Sequence, residues 1–341
     1  MTTTFEHLSD EIIISIIEYL TLEEFTSIFG TLNERFSCII YSHPWTQHRL
    51  TIRKMNKDAL QAKLTFIEEM KLVSRISSID ICPHSIFRSI EDFCQIQSLQ
   101  NFRTLRALSL THITLDEAEA IFTPECLTNL DELTRLRLIF SFGIEQNNYC
   151  RRMEQILARI LTHPSLRYFT LNTARSPDFS ELKSLSSLEF FEIDYCSFQS
   201  LYKLLEFAPN LRHLCARIGI HNDINAELDP AVCILTSLKL TLSIPAYDQM
   251  TTFLKKFPKL QKLHVLTYSL IEPLTFTETW HSFITDHLPV LTRFKRECKV
   301  TLDSIGQFVE FFHWPNGWIS KDKSVFEGSN YSKITIVNVR Y

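Results

Sequence analysis

The feature that most constrains this chain is a short phrase, apolar-x-x-apolar-x-apolar, that returns from Ile76 to Phe294. It reads Ile76-x-x-Ile79-x-Ile81, Leu105-x-x-Leu108-x-Leu110 and Leu133-x-x-Leu136-x-Leu138. It continues as Leu166-x-x-Phe169-x-Leu171, Leu188-x-x-Phe191-x-Ile193 and Leu211-x-x-Leu214-x-Ala216. Leu235-x-x-Leu238-x-Leu240 and Leu260-x-x-Leu263-x-Val265 follow, with a shortened Leu291-x-x-Phe294 last. Successive starts lie 22 to 33 residues apart. The alternation that closes each phrase is that of a strand with one face buried. Between phrases the period changes to that of a helix. Met153, Ile156, Leu157, Ile160 and Leu161 form one such set, Met250, Phe253, Leu254 and Phe257 a second, and Trp280, Phe283, Ile284 and Leu288 a third. A unit this short cannot bury its apolar face alone, so the period predicts a stack of α/β units, each completed by its neighbours.

The phrase and its period resemble the leucine-rich repeat, in which each phrase is a short strand lining a horseshoe. Leu188–Cys196 is the sharpest copy, with Cys196 at the position where that family carries Asn or Cys. Most other copies lack that residue, so the expected array is irregular; a run of unrelated strands is the alternative. The resemblance implies that residues between the phrase positions turn outward onto the concave face. Among them are Arg135 and Arg137, the rings Tyr168 and Phe190, then His213, Arg217, Lys239, Lys262, His264, Arg293 and Lys295, with smaller neighbours such as Thr111 and Thr241. Tyr168 and Phe190 fall at the centre of this column, where binding hot spots tend to lie. Lys239, Lys262, Arg293 and Lys295 gather at its C-terminal end. The column is the expected surface for a protein substrate, its cations suited to an acidic or phosphorylated segment. Simple solvation of an exposed sheet is the competing explanation.

Ahead of the array, Leu8–Phe36 carries a different pattern. Ile12, Ile13, Ile16, Ile17 and Leu20 keep helical spacing, Ser9 is placed to cap the helix, and Asp10 and Glu11 put negative charge at its positive end. A second helix is expected from near Thr21, with Leu22, Phe25, Ile28, Phe29 and Leu32 inward. The run from Leu8 to Leu20 resembles the opening of the F-box, roughly Leu-Pro-x-Glu-Leu-Leu-x-x-Ile-Leu-x-x-Leu, at every apolar position. It departs at Ser9, where that family usually has Pro. The resemblance covers about residues 4–48. The F-box is a short helical module that recruits substrate receptors to cullin–RING ubiquitin ligases through a small adaptor subunit. The resemblance therefore implies an adaptor-binding surface made by Leu8, Ser9, Ile12, Ile13, Ile16, Ile17 and Leu20. It also implies the role of substrate receptor in an SCF-type ligase. The alternative is a leucine-rich-repeat interaction scaffold not coupled to ubiquitination, whose N-terminal helices only cover the end of the array.

The expected fold class is α+α/β, an N-terminal helical F-box-like module followed by an irregular leucine-rich-repeat solenoid. Residues 1–48 form the module and 49–75 a helical connector with Leu60, Leu64 and Ile67 at helical spacing. Residues 76–300 form the solenoid and 301–341 a C-terminal cap ending in the β-prone Ile334–Val339. The six glycines are never closer than eleven residues, which excludes phosphate-binding loops, dinucleotide fingerprints and the nucleophile elbow. The nine cysteines are never closer than twelve, a spacing of neither zinc sites nor redox pairs, so reduced thiols are expected. No catalytic residue, metal site or cofactor is expected. No apolar run approaches the length of a bilayer span, and MTTTFEHL lacks the character of a signal peptide. A cytoplasmic or nuclear protein with no membrane partner follows. Nucleic acid is not an expected partner, since the net charge is −4 and no RNA- or DNA-binding motif is present. The charge is uneven: residues 1–50 carry seven acids against two arginines, net −5, and residues 237–299 nine cations against five acids, net +4.

Overall fold

All nine copies of the phrase form strands. The structure, a computed structural model, describes residues 8–17, 48–53, 57–69, 72–82, 89–141, 148–219, 234–242, 247–267, 277–301, 318–328 and 331–340. Its contacts divide the chain into two units, Met1–Ser141 and Phe142–Tyr341. The helix expected from Thr21 lies outside the described residues, as do residues 302–317 of the expected C-terminal cap.

In the first unit, helix α1 (Asp10–Ile17) precedes β1 (His48–Arg53), α2 (Lys57–Glu69), β2 (Ile76–Cys82), α3 (Ser89–Ile96) and β3 (Ala107–Ile113). Helices α4 (Leu115–Ile121) and α5 (Pro124–Asn129) then lead to β4 (Arg135–Phe140). The four strands are parallel and pair in chain order. The sheet starts earlier than the phrase does. Leu50 lies beside Ile79 and Ile52 beside Ile81, all buried, so the stretch expected as a helical connector opens with a strand. Gln47 stands where the phrase would need its first apolar residue, which hid this unit from the pattern. Helix α2 buries Leu60, Leu64 and Ile67 as expected.

The second unit contains α6 (Tyr149–Leu161), β5 (Tyr168–Asn172), β6 (Phe190–Cys196), α7 (Phe198–Phe207), β7 (His213–Ile218) and β8 (Ser237–Leu242). It continues with α8 (Tyr247–Leu254), β9 (Lys262–Thr267), α9 (Thr277–His287) and β10 (Arg293–Thr301). Strands β5 to β10 are parallel neighbours in chain order. Two further strands, β11 (Trp318–Gly328) and β12 (Tyr331–Arg340), complete the chain. Strand β12, which contains the β-prone Ile334–Val339, runs antiparallel along β10 from Arg293 beside Val339 to Thr301 beside Tyr331, and β11 pairs with β12 in turn. The outer edge of the last parallel strand is thereby occupied rather than left open.

Four repeats of the second unit enter their strands in a similar way. The N–H groups of Leu166, Leu211, Leu260 and Leu291 donate to the carbonyls of His163, Ala208, Phe257 and Leu288 at 3.0–3.3 Å. Pro164, Pro209, Pro258 and Pro289 hold the second position of these turns, where the fixed φ of proline suits a β-turn. A carbonyl at the entry of each strand accepts two N–H groups from the next repeat: Arg167 from Glu189 and Phe190, Glu189 from Arg212 and His213, Arg212 from Thr236 and Ser237. The series continues through Thr236 and Gln261 at 2.9–3.0 Å, and the hydroxyls of Thr236 and Thr292 add donors at 3.2 and 3.1 Å. This ladder fixes the register of neighbouring repeats outside the strands themselves. On the buried side, helices close over the phrase residues. Trp280 of α9 lies 4.9 Å from Phe294 of β10, and Phe198 and Tyr202 of α7 lie 5.2 and 5.3 Å from Phe253 of α8.

Candidate functional site

Strand alternation sends the phrase residues inward and leaves their neighbours on the open face of the sheet. In the second unit the parallel register ties these neighbours into two lateral rows. In the first, Tyr168 lies beside Phe190, then His213, Ser237, Lys262 and Arg293. In the second, Thr170 lies beside Glu192, then Cys215, Lys239, His264 and Lys295. Rings fill one end of the first row: the centroids of Tyr168 and Phe190 are 6.2 Å apart and those of Phe190 and His213 6.4 Å. Tyr168 is 40% exposed, a large ring left in water. Cations fill the other end of both rows, with Lys239, Lys262 and Arg293 exposed and Lys295 half-buried, and the half-buried His264 lies between Lys239 and Lys295.

Acids mark the middle. Asp194 pairs with Arg217 at 3.3 Å, so this cation is engaged within the face. The Nε of Arg217 is not directed at the carboxylate as a hydrogen bond, which makes the contact an ion pair only. The Cys215 thiol is pushed up, first by burial and then by Glu192, while Lys239 pulls it down; both flanking charges act on the same spot. Two outward expectations fail. Thr111 and Thr241 are buried, and the Thr111 hydroxyl turns back to donate to the Ile81 carbonyl at 3.3 Å. A threonine hydroxyl is short enough to bond a carbonyl of the adjacent strand, which keeps the side chain close to the sheet.

Arg135 and Arg137 belong to the first unit. Both are exposed on β4, beside Ala107 and Ser109 of β3. In the same unit, Ser9 stands at the N-cap of α1, its carbonyl accepting the Ile13 N–H at 3.1 Å. Leu8 is half-buried, Ile12 is 49% exposed and Ile16 is half-buried, so one helix edge, i to i+4, lies partly in water. Ile13 is fully buried, which takes it away from that edge. Ile14, which the apolar spacing left out, is buried as well. Ile17 ends the helix, and Leu20 lies outside the described residues.

His213 was expected on this face, but its place beside Phe190 as a third ring was not, because side-by-side placement depends on register between strands and not on spacing within one. Among the described residues, no group of three or more His, Cys, Asp or Glu side chains could hold a metal ion, and no helix is long and apolar enough to cross a membrane.

Comparison with family models and with curated proteins finds no match. Among solved structures, one similar chain is that in the crystal structure of a TLR13–ssRNA13 complex, with a TM-score of 0.40 at 16% identity. The match covers 80% of this chain and 35% of that one, so this chain spans about a third of its length.

Proposed function

We propose that this protein is a substrate receptor of an SCF-type cullin–RING ubiquitin ligase, with an F-box-like N-terminus and an array of degenerate leucine-rich repeats. The observation that carries the reading is the edge of α1 formed by Leu8, Ile12 and Ile16, apolar yet partly in water, with Ile12 49% exposed. An isoleucine held open on a short helix, beside two buried ones, suits docking into an apolar groove of the adaptor subunit. The open sheet face of the second unit then holds the protein substrate. Tethering both on one chain raises the effective concentration of ubiquitin-loaded enzyme near substrate lysines, so the receptor supplies geometry and its partners the transfer chemistry. In a reconstituted ligase containing the adaptor, cullin and RING subunits, the full chain is expected to become ubiquitinated itself. The Ile12→Asp/Ile16→Asp variant is expected to stay unmodified, and equal modification of both would count against the reading.

A second reading keeps the array as an interaction scaffold without the ligase. It is favoured by the burial of Ile13 and Ile14 and by the place of α1 in the same unit as the first strands. Under this reading the variant above loses stability rather than a partner.

A further inference from the structure

The lateral rows of the second unit divide into unlike halves, and the division has a length. The rings of the first row sit on β5, β6 and β7, the cations Lys262 and Arg293 on β9 and β10. Lys239 and Lys295 extend the cationic half in the second row, two strands apart with His264 between them. Neighbouring strands are about 4.8 Å apart, so Phe190 and Lys262, three strands apart, are separated by roughly 14 Å along the row. An extended peptide rising about 3.3 Å per residue covers that distance in about four residues.

We propose that this face binds an extended peptide lying across the strands, with an aromatic or aliphatic anchor on the ladder around Phe190 and a run of carboxylates, starting about four residues away, over Lys239, Lys262 and Arg293. This rests on the reading of the open sheet face as the substrate surface and is independent of the adaptor. The polarity follows from Glu192, which lies two positions along β6 from Phe190 and repels an acidic run from the ring end. A carboxylate run fits better than a single phosphate. Lys239, Lys262 and Arg293 lie on three successive strands, about 10 Å from first to last, so one phosphate would engage only the neighbouring Lys262 and Arg293, whereas successive carboxylates can meet all three. Single-stranded nucleic acid fits less well, because it carries a phosphate at every step and would lay one beside Glu192.

The test is fluorescence anisotropy with the full chain and labelled synthetic probes. The parent peptide carries one tryptophan and, about four positions away, a run of glutamates and aspartates, made in both chain directions. A second peptide places the run next to the tryptophan, a third replaces it with one phosphoserine, and a fourth probe is oligouridylate. The parent peptide is expected to bind at least about tenfold tighter than each of the others. Lys239→Glu/Lys262→Glu and Phe190→Ser are each expected to weaken it by about tenfold or more, with Tyr168→Ser as the ring variant should Phe190→Ser not fold. Affinity indifferent to spacing, tighter binding of the phosphoserine peptide or of oligouridylate, or charge reversal without effect would overturn the proposal. If a chain that captures the adaptor binds no probe, this inference falls and the receptor reading stands. If the parent peptide binds as expected and the adaptor is not captured, the inference stands and the receptor reading falls.

Discussion

Tyr202 is fully buried on α7, edge-on to Phe253 at 5.3 Å, and its hydroxyl has no hydrogen-bond partner among the described residues. A buried hydroxyl without a partner costs about 1–3 kcal/mol relative to a well-packed apolar group. Tyr202→Phe is therefore expected to leave stability unchanged or raise it by about 1 kcal/mol in urea denaturation, where a clear loss would place an unseen acceptor at the hydroxyl. The same burial pushes Tyr202 from 10.0 up to about 12 and the Cys126 thiol from 9.0 up to about 11. The fully buried Cys196 is pushed higher still. These groups stay neutral in the folded chain while their unfolded counterparts ionise, so the unfolded state binds fewer protons above its own pKa. Stability is fully present below pH 9 and is expected to fall as pH rises from there toward 11, read as a lower urea midpoint at pH 10 than at pH 8. Phe179 departs from local preference. It holds a φ of 58°, a left-handed conformation that bulky residues avoid, while buried edge-on against Phe191 at 6.2 Å. Nothing in the residues around it announces that backbone.

Among the elements, the strands with buried phrases were legible because burial on one face imposes a period that sequence displays. Strand β1 was not, since Gln47 breaks the phrase, and β11 was not, since its place is specified by pairing with β12 rather than by a repeated apolar pattern. The Pro-x-Leu turns at 164–166, 209–211, 258–260 and 289–291 were present in the sequence as a second repeat marker, with a mechanism in the fixed φ of proline. One helix start carries a capping signal that the apolar spacing does not use. Thr114 and Glu117 form a capping box on α4, with the Thr114 N–H donating to the Glu117 carboxylate at 2.7 Å and the Glu117 N–H to the Thr114 hydroxyl at 3.2 Å. Thr114→Ala is expected to lower stability by about 1 kcal/mol, with faster amide exchange confined to α4; exchange unchanged there would mean the cap is redundant. Trp280 ties α9 to β10 and is fully buried. Trp280→Ala is expected to cost about 3–5 kcal/mol, and a loss under 1 kcal/mol would show that α9 does not depend on it.

For the whole molecule, the sequence displayed the members of the candidate surface but not their arrangement. Tyr168, Phe190 and the four cations could be placed on one side of their strands from alternation alone. The gathering of the cations toward the C-terminal strands showed in the sequence as well, whereas the side-by-side rows, and the place of the rings at one end of the second unit's row rather than at the centre of the column, needed the register between strands. The N-terminal edge was legible only in part: spacing grouped Ile12 with Ile13, and tertiary packing separated them by burying Ile13. That separation is what gives the receptor reading its surface. The measurement that bears on it most directly is calorimetric titration of the purified adaptor subunit into the full chain, beside the Ile12→Asp/Ile16→Asp variant. The account predicts saturable binding by the parent and none by a variant whose circular dichroism is unchanged. A folded parent that releases no heat and forms no complex on gel filtration would contradict it.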